Sequence, residues 1–487
     1  MEKVSFKNNM RPFAPASVEQ MAARREARAA EQREMLDRGG EDRCVVCIGM
    51  NIAGPNKRGG LIDAAFCDAL ACFIREAGEE GVIGRGGFEL RFINENTGIE
   101  ALIGLDADAR ELKRICVRIE ETHLAGRLFD MDVIEKNGMK LGRNEPRKCL
   151  ICSENASVCA RSRAHGVSEL QRKTEELLKH FLICRIAGDA VLALVSEVNT
   201  TPKPGLVDRL NSGANSDMDI STFIHSAETL RPFFAQMAAL ALAFAQSEKN
   251  GDNCEKFFSE LRKTGIDAEK AMLDATGGVN THRGAVYSLG LLASAAAYEL
   301  TVGLFGADGS GLSGEPLDEG AFIMRCTETA AAFARALGDN SAAASNGAKM
   351  REKYGVDGPV QQAQQGFPLA MLAKAAKGEY YNRHGQANGE LAWVFALIRV
   401  MAVMDDNNAL KRGGEEGAAF VKNRASELSA LAMSLEPVEF NAALLEFDAE
   451  LIERNISCGG AADMLALALF LEEIELLLAP PAAAVLG

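Results

Sequence analysis

The rhythm of apolar and polar positions changes about a third of the way along this chain of 487 residues. Before that point it is mixed. Ser17 and Gln20 have the capping-box spacing, which predicts a polar, arginine-rich helix running to Leu36 and stopped by Gly39 and Gly40. The apolar run 44–48 reads as a buried strand, 63–76 as a helix and 88–93 as an alternating strand, while 111–121 fits either period. In the octet GRLFDMDV at 126–133, Phe129, Met131 and Val133 alternate with Leu128, Asp130 and Asp132. A strand there sets both aspartates on one face. From residue 177 the period is helical, through 177–198, 221–246, 285–301, 328–337, 367–377, 391–404, 417–434 and 461–478. The pattern predicts an all-α bundle of about ten helices.

Length then sets the domain count, since 487 residues exceed one ordinary core. The expected division is 1–172 and 173–487, with 166–173 as the linker. The fold class that follows is α+β multidomain: an N-terminal α/β domain followed by a larger all-α one. A formal charge of −15 excludes a general nucleic-acid or anionic-membrane binder, so a polyanionic ligand has to be met by local cation clusters. Residues 1–13 have no apolar leader core, and the longest apolar run, 391–404, is short for a bilayer and contains Arg399. The expectation is a cytoplasmic protein whose 12 cysteines are mostly buried thiols.

Candidate chemistry gathers in a few loops. The most loaded is 197–219, EVNTTPKPGLVDRLNSGANSDMD, too long for a mere connector. Pro202 and Pro204 stiffen the backbone around Lys203, and Asp208, Asp217 and Asp219 supply acceptors for a metal or a hydroxyl proton. Further on, Gly277 to Gly284 contains Asn280, His282 and Arg283 before a helix start, where free amides suit a phosphate. Residues 406–414, with Lys411 and Arg412, read as a similar loop, and Cys458 to Asp463 opens the last helix. In the first domain, Gly54 and Pro55 make a turn beside Lys57 that suits a phosphate. Asp130 and Asp132 have the spacing to share a divalent metal holding a triphosphate, as nucleotidyl transfer requires, which makes this domain nucleotidyltransferase-type. Cys149, Cys152, Cys159 and His165 offer a zinc-ligand set, although the six-residue second spacing equally fits a compact turn whose Arg161 and Arg163 meet phosphate. Both readings stay open.

Two families are resembled. Glu197, TPKPGLVD at 201–208, Asn211, Gly213 and the DMD from Asp217 resemble triphosphoribosyl-dephospho-CoA synthase, and the likeness runs through the later loops to the end of the chain. Residues NIAGPNK at 51–57, the segment 121–123, GRLFDMDV and CARSRAH ending at His165 resemble apo-citrate lyase phosphoribosyl-dephospho-CoA transferase. The resemblance implies a bifunctional, ATP-binding enzyme of citrate lyase prosthetic-group biosynthesis. ATP and dephospho-CoA would bind the all-α domain, adenine would leave, and the first domain would load a serine of the citrate lyase acyl carrier (gamma) subunit. It also implies Mg²⁺ at Asp130, Asp132 and Asp217, base or metal work for Asp217 and Asp219, and ribose contacts for Glu197 and Asp463. Phosphates would fall to Lys57, Arg127, Lys203, Asn280, His282, Arg283 and Arg412.

Departures from the family pattern accompany these matches. Ala53 stands where proline is more usual, Asn215 and Lys411 where histidines are, and Val360 and Gln362 where an arginine and a glutamate are. Gln362 keeps the shape of glutamate but cannot act as a base. Two other readings therefore stand beside the bifunctional one: a first domain active by itself over a diverged nucleotide-binding scaffold, and malonate decarboxylase as the client.

Overall fold

The computed structural model describes residues 14–83, 87–247, 254–305, 319–338, 352–385 and 388–478. Residues 1–13, expected to lack an apolar leader core, lie outside the described residues. The chain divides into two compact units, one of Met1–Cys184 with Leu300–Glu319 and Leu476–Gly487, the other of Arg185–Glu299 and Gly320–Glu475.

The first unit is built on four strands, β1 (Arg43–Met50), β2 (Glu89–Glu95), β3 (Gly98–Asp106) and β4 (Phe129–Ile134), in the order β2-β3-β1-β4. Every neighbouring pair is antiparallel. The expected α/β domain is thus corrected to α+β. Asn96 and Thr97 join β2 to β3, with Glu95 facing Gly98, and a connection of that length links only antiparallel strands. Helix α1 (Val18–Asp37) opens on the expected box, Gln20 N donating to Ser17 Oγ at 3.2 Å and Ser17 N to Gln20 Oε1 at 2.8 Å. Its Met35 and Leu36 join Val45, Cys47, Ile93, Leu102 and Ile134 in a core on one sheet face. Helices α2 (Gly60–Glu79) and α3 (Ala109–Thr122) cover the opposite face, where alternation places Val46, Ile103 and Met131. The ambiguous segment 111–121 is therefore helix. Asp108 caps it through the amides of Arg110 and Glu111. A short helix, α4 (Ala156–Ser162), follows the cysteine-rich turn.

Helix α5 (Val167–Asn199) starts inside the expected linker and runs unbroken through residues 172 and 173. Nothing between 167 and 187 is glycine or proline, so the backbone meets no reason to stop. The second unit is helical throughout its described residues, with α6 (Ile220–Ser247), α7 (Cys254–Ala275), α8 (Arg283–Phe305), α9 (Glu319–Leu337), α10 (Pro359–Gln364), α11 (Pro368–His384), α12 (Gly389–Val403), α13 (Asn407–Ala432), α14 (Pro437–Glu453) and α15 (Gly459–Leu478). Helices α7, α10 and α14 extend the predicted set. In α14, Phe440, Leu444, Phe447 and Leu451 form the buried stripe. The expected loop 406–414 is instead helical from Asn407, capped by Asp406 and kinked at Gly414, whose φ of 63° lies in the left-handed region. Among the described residues, one helix stretch, Arg283–Val302, is long and apolar enough to cross a membrane, and most of it is buried by other parts of the chain.

Candidate active sites

In the second unit the loop after α5 is held by its own acids. Lys203 N donates to Asp208 Oδ2 at 2.8 Å, while Leu210 N and Asn211 N donate to Asp208 Oδ1 at 2.7 and 3.1 Å. Asp448 of α14 accepts from Gly205 N and Asn211 Nδ2, both at 2.8 Å. Gly213, at a φ of 55°, lies so close to the Gly205 carbonyl carbon that a Cβ would meet it at 2.5 Å, so only glycine fits. The Thr201–Pro202 peptide is cis.

The arch is stiff, as the prolines predict, but it turns Lys203 inward. Its Nζ is paired with Glu197 Oε1, and the two residues are 2% and 4% exposed. Lys203, expected to reach out to a triphosphate, is therefore the buried counter-ion of Glu197 in this structure. Beside it lies His282, whose Nδ1 is 2.7 Å from Ser226 Oγ and whose Nε2 is buried without a partner. Burial, then the nearby Lys203 cation, lowers its pKa to about 3. The ring is neutral at working pH, so what it offers a phosphate is a hydrogen bond and not a charge.

Asp463, just past the first turn of α15, reaches towards the start of α8. A Cβ on Gly284 would lie 2.1 Å from Asp463 Oδ2. Its carboxyl is pushed well above the ordinary range by burial, and further by Glu197 and Asp406. Glu197 is also raised by burial, with Lys203 opposing. Burial raises Asp406 too, against the amides of Asn408, Ala409 and Ala461 that its oxygens accept. Glu197 thus pairs with Lys203, which also acts on His282, and Asp463 lies within electrostatic reach of Glu197 and Asp406. Gln362 Oε1 and Asn407 Oδ1 are two more buried polar atoms without partners.

The remaining expected residues of this unit have other partners. Asp219 accepts from Ser221 Oγ, Thr222 N and Thr222 Oγ1 at 2.7, 2.9 and 2.8 Å, so it caps α6. The Thr222 amide and these hydroxyls lower its pKa to about 2, which makes it a poor proton acceptor and corrects the base role expected of it. Asp217 is exposed. Asn280 Oδ1 accepts from Arg283 N at 3.2 Å, and Arg283 Nε pairs with Glu269 at 2.9 Å. Arg412 closes on the end of the loop, donating to Ala214 O at 2.6 Å and to Asn215 Oδ1 at 2.7 Å.

In the first unit, alternation along β4 buries Phe129, Met131 and Val133 and leaves Asp130 exposed and Asp132 half-buried. Asp130 pairs with Gly49 and Asp132 with Cys47. Gly49 has no side chain to fill the space between strands, and a Cβ there would lie 4.0 Å from Glu100 Cγ. Glu100, Asp130 and Asp132 therefore share one sheet face around a gap. Glu100 is outside the expected set, although a lone acid in the apolar run GIEALIGL at 98–105 was a signal. Arg24 holds it, Nε to Oε2 at 3.2 Å, while its amino groups grip Glu31 at 3.0 and 2.6 Å. Lys140 pairs with Asp132.

The expected phosphate cations of this unit are partly committed. Lys57 Nζ donates to Ile52 O within its own turn, and burial, then Arg25, lowers its pKa. Arg127 donates to Lys148 O at 2.7 Å and Cys149 O at 3.0 Å. Arg147, outside the expected set, ties the same segment to β4 by donating to Phe129 O, Gly126 O and Arg127 O at 2.6, 3.0 and 2.9 Å. Arg161 and Arg163 are exposed. The ligand atoms of Cys149, Cys152, Cys159 and His165 all lie within 4.8 Å of one another.

Two polar centres, one on an antiparallel sheet and one in a helical unit, accompany matches to two transferase families, which make this chain a two-module transferase. A family model for the ATP:dephospho-CoA triphosphoribosyl transferase matches residues 184–480, and one for the apo-citrate lyase phosphoribosyl-dephospho-CoA transferase matches residues 16–181. The chain is 32% identical over 478 residues to the protein CitXG of Haemophilus influenzae, covering 93% of this chain and 95% of that one. It is 31% identical to the protein CitXG of Leuconostoc mesenteroides subsp. cremoris, over 79% of this chain and 83% of that one. A 2-(5''-triphosphoribosyl)-3'-dephosphocoenzyme-A synthase of Haemophilus ducreyi is 34% identical over 336 residues, 66% of this chain and 98% of its own. The chain belongs to the CitXG family, whose two modules belong to citrate lyase prosthetic-group biosynthesis.

Proposed function

We propose that this chain carries out both steps. In the helical unit a ribose hydroxyl of dephospho-CoA attacks the anomeric carbon of the ATP ribose, the bond to adenine breaks, and triphosphoribosyl-dephospho-CoA forms. In the sheet unit a serine hydroxyl of the citrate lyase acyl carrier subunit attacks the phosphorus nearest the ribose, and pyrophosphate leaves. The observation that carries the reading is the buried Glu197–Lys203 pair with neutral His282 beside it, its Nε2 unpartnered, and Asp463 within electrostatic reach of Glu197 and Asp406. An oxocarbenium-like transition state is stabilised by such carboxylates.

Asp463 is the group we assign to take the hydroxyl proton. Backbone amides occupy the oxygens of Asp406, whereas Asp463 Oδ2 lies against Gly284 at the start of α8. Burial and the neighbouring acids raise its pKa, which makes the ionised carboxylate a stronger proton acceptor. His282 Nε2 is free to hydrogen-bond substrate, and Asn280, Arg283 and Arg412 ring the loops that would face phosphates. In the sheet unit, Glu100, Asp130 and Asp132 form an all-oxygen donor set of the kind Mg²⁺ prefers. Held there, the ion would neutralise charge on the departing pyrophosphate. Around it Lys140 and Arg24 fix the carboxylates in place.

None of the twelve cysteines is paired in a disulfide, which fits a cytoplasmic, reducing setting. The test is adenine release from ATP with Mg²⁺ and the full-length chain. Release that requires dephospho-CoA supports the reading. Its absence, beside active transfer of separately supplied triphosphoribosyl-dephospho-CoA, would leave only the sheet unit catalytic.

A further inference from the structure

The cysteine-rich turn between β4 and α5 contains a feature that neither proposed reaction uses. Residues 147–156 fold back on themselves: Ala156 N donates to Arg147 O at 2.8 Å and Cys149 N to Glu154 O at 2.7 Å. This hairpin sets Cys149 and Cys152 on one side. Helix α4 brings Cys159, and after it Arg163, at a φ of 50°, turns the chain so that His165 comes back to the same point. Cys152 Sγ lies 3.5 Å from Cys159 Sγ and 3.4 Å from His165 Nε2.

Those separations match a tetrahedral ion. With Zn–S near 2.3 Å and Zn–N near 2.0 Å, ligand atoms around one zinc are about 3.5–3.8 Å apart. Two finer details agree. Ile151 N points at Cys149 Sγ at 3.5 Å, the amide-to-sulfur contact that stabilises a thiolate ligand. His165 Nδ1 faces Glu169 Oε2 at 3.5 Å, leaving Nε2 for the cluster, as a carboxylate behind a ligating histidine does. Cys149 and Cys159 are buried and the other two half-buried, so the site is closed rather than open to substrate.

We infer that Cys149, Cys152, Cys159 and His165 bind one structural zinc ion. Its place in the fold gives it a purpose. The Lys148 and Cys149 carbonyls hold Arg127, and Arg147 holds the carbonyls of Gly126, Arg127 and Phe129, so the clamped turn fixes the entry to β4 immediately before Asp130 and Asp132. The zinc would position the acidic strand without touching substrate.

The experiment is metal analysis of the full-length chain purified under reducing conditions, followed by Co²⁺ titration of the chelator-stripped protein. One zinc per chain is expected. Co²⁺ should give the intense visible bands of a tetrahedral site with thiolate charge transfer, at one equivalent. Cys152→Ser should lose the ion, while His165→Cys, which restores a four-ligand set, should keep it. Less than a tenth of an equivalent of zinc in zinc-supplied protein whose thiols are reduced would overturn the inference. So would octahedral Co²⁺ spectra, or a Cys152–Cys159 disulfide in the cell-derived protein. Because stoichiometry and spectra are read without turnover, they decide the zinc site even if the proposed reactions fail. Where the transfer reaction is present, stripping the ion should lower pyrophosphate release at least tenfold and leave adenine release unchanged.

Discussion

Replacing Lys203 by methionine tests how the second unit is built around a buried charge. The side chain keeps much of its volume, so the loss is chiefly electrostatic. Lys203 and Glu197 are almost wholly buried, and removing one partner of such a pair costs about 3–5 kcal/mol. A domain has only about 5–15 kcal/mol of total stability, so the effect should be plain. It should also depend on pH. Without the cation, the Glu197 carboxyl, already raised by burial, rises further. A carboxyl whose folded pKa exceeds its unfolded value contributes stability that is present below the unfolded value and lost as pH rises through the folded one. His282, whose pKa of about 3 is held down partly by Lys203, is penalised less at low pH once the lysine is gone, which acts in the same direction. The deficit against the unsubstituted chain should therefore be small near pH 5 and grow by up to about 1.4 kcal/mol per pH unit above it. Urea unfolding followed by tryptophan fluorescence is the assay, because the one tryptophan, Trp393, lies on α12 in this unit. Adding Glu197→Gln should recover most of the loss. A deficit equal at pH 5 and pH 8, with no recovery in the double variant, would refute the buried-pair argument.

Other consequences follow from the two centres. Asp130→Asn with Asp132→Asn should lower pyrophosphate release by about a hundredfold or more, the scale for losing charge stabilisation at a reacting group, and leave adenine release intact; equal loss of both would mean the substitutions unfold the chain. Gly284→Ala places a methyl 2.1 Å from Asp463 Oδ2, so adenine release should fall at least about tenfold with helical circular dichroism unchanged. For the same reaction, kcat/KM should rise with pH through a pKa above the ordinary aspartate value of about 3.9, because burial and the neighbouring acids raise Asp463 and its ionised form is the base. That limb should vanish in Asp463→Asn, and its persistence there would remove Asp463 from the role. Val360→Arg with Gln362→Glu should increase adenine release, measured by chromatography.

Periodicity made most of the architecture legible. The capping box at Ser17, the alternation in β4 and the long apolar helices all lie where local rules put them. The strand directions were not legible, because antiparallel pairing is settled by the two-residue turn at Asn96 and by long-range partners. The expected linker 166–173 is polar, yet beyond Gly166 it carries no helix breaker, and α5 runs through it. For the sites, residue types were readable and orientation was not. A lysine between two prolines looks presented, but Asp208 and Asp448 fold the arch so that Lys203 turns to Glu197. Asp219 looked like a base and is a helix cap, a distinction that rests on whether Ser221 and Thr222 open a helix. Asp406, hidden in what read as a loop, proves to be the buried acid that joins α13 to α15.

The most direct test of two steps on one chain is intact-mass spectrometry of the citrate lyase acyl carrier subunit, incubated with the full-length protein, ATP, dephospho-CoA and Mg²⁺. The account predicts a mass gain of one phosphoribosyl-dephospho-CoA on a serine. It predicts none with Asp463→Asn or with the Asp130→Asn, Asp132→Asn chain, and a gain again when those two variants are mixed. A mass gain that appears only when triphosphoribosyl-dephospho-CoA is added ready-made would contradict it, leaving the sheet unit as the sole catalyst.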